Sequence, residues 1–167
     1  MFELKRLSKD AIPAALAQAE RYRLLNEPAE AESICLDILE IDPSHQDALV
    51  TLVLALTDQF PDGGPARAAT EAETAVKRVT DEYKRHYYTG IIRERRGKAV
   101  LRSDRPGTGR SVQDWLHEAM ACYERAEAIR PGSNDEAVLR WNTCARLLST
   151  IRATEPDIQA YTAIQSE

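Results

Sequence analysis

Three histidines, three cysteines and one short glycine-containing turn are the residues of this 167-residue chain with reactive or metal-binding chemistry to offer. A zinc site needs closely spaced thiolate, imidazole or carboxylate ligands. His117 and Cys122 stand five apart, which puts them on different faces of a helix, and no acidic side chain completes a set. His86 has no His or Cys at ligand spacing, and His45 follows Pro43 in a polar turn, where capping or solvation is the expected role. Cys35, Cys122 and Cys144 are odd in number, far apart and each inside a helical pattern, so they read as buried reduced thiols. Pro106-Gly-Thr-Gly109 is followed by Arg110 without the lysine spacing or the preceding strand of a phosphate-binding loop. The pairs Glu71/Glu73 and Asp81/Glu82 lie in acid-rich runs that read as solvated surface. The expectation is therefore no catalytic residue, no metal and no cofactor: a protein that is not an enzyme.

The elements that carry these residues are helices. Alanine is abundant, while the 7 Gly and 8 Pro cluster at a few places, a pattern of long helices and short turns. The longest apolar stretch, Ala48–Leu56, is interrupted by Thr51 and is far short of the ~18–20 residues needed to cross a bilayer. Met1-Phe-Glu-Leu-Lys-Arg6 lacks the apolar core of a secretory leader. With the thiols, this sets the expectation of a cytoplasmic protein without a membrane partner.

Two segments close alike, Leu39-Glu-Ile-Asp-Pro43 and Glu127-Ala-Ile-Arg-Pro131, each ending an amphipathic helix before a polar turn. Working back from Pro43, a 34-residue unit from Ile12 to His45 has Ala19 at a close-approach position and Tyr22 three residues on. Ala31, Cys35 and Ile38 follow on the inward face of its second helix. This spacing resembles the tetratricopeptide repeat, departing from it at the missing first Trp and at Cys35, where the motif has an aromatic. A second unit, residues 46–82, has Leu49, Leu52, Val53 and Leu56 on one face of its first helix. Its second helix, Ala66–Thr80, turns Ala68, Ala69, Ala72, Ala75, Val76 and Val79 inward after the turn Phe60-Pro-Asp-Gly-Gly-Pro65. A third unit, 83–133, has Gly90 at close approach, Gly97 at the turn, and Ala119, Tyr123, Ala126, Ile129 and Pro131 in its second half. The residues between are too many for the repeat, so 98–113 reads as an insertion containing an exposed loop, Ser103–Arg110. Residues 134–152 (Val138, Leu139, Trp141, Ala145 and Leu148 inward) read as a capping helix, and 153–167 as a tail that is frayed or holds a short helix over Asp157–Ile164.

The resemblance implies one all-α domain over 1–167, an α-solenoid whose first helices line a concave groove for a protein ligand. The groove positions it implies are Leu16, Glu20 and Arg23; Asp47, Val50, Leu54 and Asp58; Lys84, Tyr87, Ile91, Glu94 and Arg95; and Val138 and Asn142. Co-chaperones of that family grip a C-terminal carboxylate with a polar and cationic clamp. Leu16, Asp47 and Val50 stand at its places here, so that clamp is absent. A groove with an apolar floor and charged margins suits an amphipathic helix or an extended peptide. A terminus of this chain or a second copy is the alternative occupant, so a homo-oligomer stays open.

Charge is uneven. The formal net charge is −5, yet Lys84 to Arg110 carries +7 and the remainder −12. Arg95, Arg96, Lys98, Arg102, Arg105 and Arg110, with Arg93 before them, form a basic segment with two readings. One is a solvated helix end paired with acidic neighbours. The other is a docking patch for an acidic partner, a phosphate or a nucleic-acid backbone. The acidic remainder argues against a long polyanion such as RNA.

Overall fold

Helix start signals are well placed along this chain. Pro13 and Pro28 occupy first turns, where a missing N–H costs nothing. His45 caps the third helix, its Nδ1 accepting from the Ala48 N–H at 3.2 Å. Asp81 accepts from the Lys84 N–H at 2.7 Å, and Ser111 with Asp114 forms a reciprocal capping box. The computed structural model describes residues 2–60, 66–102 and 111–154. Among them the chain is all-helical and has no strand. A 3-10 turn (Lys9–Ala11) leads into α1 (Ile12–Leu24), α2 (Pro28–Ile41), α3 (Gln46–Asp58), α4 (Ala66–Lys77), α5 (Glu82–Arg102), α6 (Val112–Ala128) and α7 (Glu136–Thr154). No helix among the described residues is long and apolar enough to cross a membrane.

Each helix packs on the next in the chain, and α1 also touches α3, as α3 touches α5. These three stand side by side in one row. Alanine permits the close spacing: Ala19, Ala31, Ala48, Ala55, Ala68 and Ala72 have no exposed surface. Between them Ile38, Leu49, Leu56 and Ile92 are fully buried, each contributing roughly 1.5–3 kcal/mol. Two apolar clusters result, one among α1–α4 and one among α5–α7. The consecutive residues Ile92 and Ile91 enter the first and the second respectively, so α5 is the wall common to both.

Several expectations need correction. Gly97 is not at a turn: α5 runs on to Arg102, and α6 begins at Val112. The reason is packing, since Gly97 is buried and a Cβ there would lie 3.0 Å from the Trp115 Cβ of α6. The stretch 98–113 thus lengthens two helices at its ends, and Ser103–Arg110 between them lies outside the described residues, as do 61–65 and 155–167. On α7 the buried stripe is Ala137, Cys144 and Leu148, while Leu139 is 64% exposed. Trp141 stays half-buried, with its indole N–H donating to Glu124 at 2.9 Å. Ile129 ends up exposed because it follows the last residue of α6, and Ala69 is half-buried.

Candidate binding groove and cationic cleft

Leu16, Glu20 and Arg23 recur on α1 at spacings of four and three, one face of a helix. Asp47, Val50, Thr51 and Leu54 do the same on α3, and Lys84 and Tyr88 on α5. Because α1, α3 and α5 stand in a row, these faces, with Leu24, line one open groove of about 400 Å³. Leu16, Val50 and Leu54 are half-buried and make its floor, while Glu20, Arg23, Asp47 and Lys84 stand at its margin. Seven of the positions named from the sequence therefore meet in one place.

Others do not. Tyr88 lines the groove in place of Tyr87. The Tyr87 ring stacks on Tyr83 (centroids 5.9 Å apart, 11° between planes) and meets Tyr123 at 5.9 Å, a better use of an aromatic face than solvent. Ile91 is only 2% exposed and packs in the cluster of α5–α7. Val138 and Asn142 are half-buried and do not line this groove.

A second cleft of about 380 Å³ adjoins the groove through Arg23, which lines both. Its walls are Arg23 and Asn26 at the end of α1, Thr57 and Asp58 at the end of α3, Glu94, Arg95, Lys98 and Arg102 on α5, and Arg140 on α7. Asn26 has a positive φ of 60°, a conformation that asparagine tolerates better than most residues and that closes the turn into α2. Asp58 sits between two arginines, accepting from Arg23 Nε at 2.8 Å and from Arg95 at 2.5 Å. Arg95 also donates to the Thr57 hydroxyl at 2.6 Å and the Leu54 carbonyl at 3.2 Å. Burial pulls its guanidinium below the usual arginine range, with Asp58 acting against that.

Glu94, a groove-margin position by resemblance, is fully buried behind this cleft. Its carboxylate accepts from Lys98 at 2.5 Å, Arg140 at 3.3 Å and the Tyr123 hydroxyl at 2.6 Å. Burial alone would raise its pKa, but the Lys98 and Tyr123 hydrogen bonds and the cationic charges outweigh that and hold it below the usual carboxylate value.

The basic segment is not one continuous patch. Arg93 and Arg96 turn to the opposite side of α5, both pairing with Glu73 of α4, at 2.5 and 3.1 Å. Arg93 also pairs with Glu118, and Arg96 lies 4.5 Å from the Trp115 ring centroid. Arg95, Lys98 and Arg102 form the cleft wall instead, and Arg105 and Arg110 lie outside the described residues. Helical rotation divides a run of arginines that looks continuous in sequence. Arg140, Asn26 and Thr57 were not named from the sequence, since nothing in a lone arginine on α7 points to a cleft built mainly by α1, α3 and α5. All three cysteines are buried with free thiols, and among the described residues no cluster of ligating side chains could hold a metal.

Compared with protein-family models, curated proteins and solved structures, the chain matches none.

Proposed function

We propose that this protein is a non-catalytic interaction scaffold of the tetratricopeptide kind. Three helical hairpins and a closing helix, α7, stack into a short solenoid, and its groove holds a peptide or helix of another protein. The observation that carries the reading is the convergence of Leu16, Glu20, Arg23, Asp47, Val50, Leu54 and Lys84 in one groove with an apolar floor and charged margins. Supporting the solenoid are the row of α1, α3 and α5 and the near-consensus spacing from Ile12 to His45. Extended or helical apolar segments suit such a floor, and paired margin charges set their register.

Peptides selected from a displayed library by the full-length chain test this. The selected sequences should bind Val50→Glu and Lys84→Glu at least about tenfold more weakly, with helicity unchanged, because one anchor site is worth about 1–2 kcal/mol or more. Equal binding by both variants would place the ligand elsewhere.

A further inference from the structure

We propose that the cleft beside the groove receives a phosphorylated side chain of the bound peptide, an inference that rests on reading the groove as a peptide site. Five cations line this cleft, Arg23, Arg95, Lys98, Arg102 and Arg140, against two carboxylates, Asp58 and Glu94. Formal charge there is +3, in a chain whose total is −5. Asp58 and Glu94 are already held by two cations each, so they organise four cations while neutralising only two charges. Their anchoring keeps the side chains of Arg23, Arg95, Lys98 and Arg140 only 21% to 35% exposed. The entropy of arranging cations is thus met within the fold, and less remains to be lost on binding. Arg102 is exposed and has no ion pair among the described residues.

Charge and size choose the ligand. A phosphorylated side chain carries about −1.5 to −2 at neutral pH and three strong acceptor oxygens, suited to planar arginine forks from several helices. A single carboxylate leaves most of the +3 unmatched. A nucleic-acid backbone carries charge well beyond a 380 Å³ cleft, into surface that is acidic overall. Arg23 lines groove and cleft alike, so one extended segment could lay apolar residues on Leu16 and Val50 and place its phosphate beyond Arg23.

Fluorescent degenerate nonapeptide pools with phosphoserine, glutamate or serine at the centre, applied to the full-length chain, test this. The phosphoserine pool should be retained about tenfold to a hundredfold better than the serine pool, the worth of one or two charge-assisted hydrogen bonds. Glutamate should fall between, and added salt should erase the difference. Arg102→Glu, at an exposed position, should abolish the preference with helicity unchanged, and Lys77→Glu on α4 should keep it. Equal retention of the phosphoserine and serine pools, or a preference that survives Arg102→Glu, overturns the proposal. So does inorganic phosphate binding as tightly as the phosphoserine pool, or a single-stranded oligonucleotide displacing that pool at lower concentration than a phosphopeptide. A preference that depends on Arg102 but is indifferent to Val50→Glu would keep the phosphate site and remove the groove.

Discussion

Glu94 and Gly90 show at the residue scale how α5 is locked to its neighbours. A Cβ at Gly90 would lie 2.5 Å from the Tyr123 ring, which is itself fully buried and tied to Glu94. Gly90→Ala should therefore lower stability by about 1–3 kcal/mol in urea denaturation, the usual cost of overpacking. Glu94→Gln leaves Lys98 and Arg140 without their carboxylate, and a loss of about 3 kcal/mol near pH 7 is expected. The pH dependence has a definite sign. A folded-state pKa below the ordinary 4.5 means that the carboxylate stabilises the fold above that value. That contribution fades as pH falls through the folded-state pKa, so the gap between wild type and Glu94→Gln should narrow with acid. A gap constant from pH 7 to pH 3 would contradict it. Burial pushes the Cys35 and Cys144 thiols up to about 12 and raises Cys122 as well. Native protein should react with a thiol-selective reagent only at the rate of unfolding, and rapid labelling of all three would sink that expectation.

Element boundaries follow caps, and element rotation follows packing. Ser111 satisfies the Asp114 N–H at 3.1 Å and its own N–H is satisfied by Asp114, so Ser111→Ala should cost about 1 kcal/mol and speed amide exchange in the first turn of α6. The register of α7 makes a sharper contrast. Leu148→Ala removes a buried side chain and should cost about 2–3 kcal/mol, whereas Leu139→Ser should stay within about 0.5 kcal/mol. Reversal of that order would restore the rotation that puts Leu139 inward. The periodicity of α7 alone admits either face. Its rotation is decided by the partner of the Trp141 indole on α6 and by the small residues Ala137 and Cys144, which let the helices approach.

At the scale of the whole molecule, charge is segregated rather than paired off evenly. Arginines that follow one another on α5 serve opposite sides: Arg93 and Arg96 fasten α4 and α6, and Arg95, Lys98 and Arg102 face α1, α3 and α7. The helical class was legible from alanine content and turn placement, because local propensity and caps act within a few residues. Repeating apolar spacing likewise located α1–α3 and much of their buried faces, since one helix face is set by sequence distance alone. The groove positions of α1 and α3 follow from the same arithmetic, given a row of helices. Tyr88 in place of Tyr87 does not, nor do buried Ile91 and Glu94, because a single residue step turns a helix by about 100° and only the neighbours decide which side chain is covered. Arg140 needed the fold itself: it is 46 residues from Glu94 in the chain, and only packing of α7 against α5 and α6 brings its charge to the cleft. Sequence by itself determined the helices and the inward faces of α1–α3. Tertiary structure decided how the basic run divides, how far α5 extends past Gly97, and which cations share a cleft, since each depends on contacts between residues that are distant in the chain.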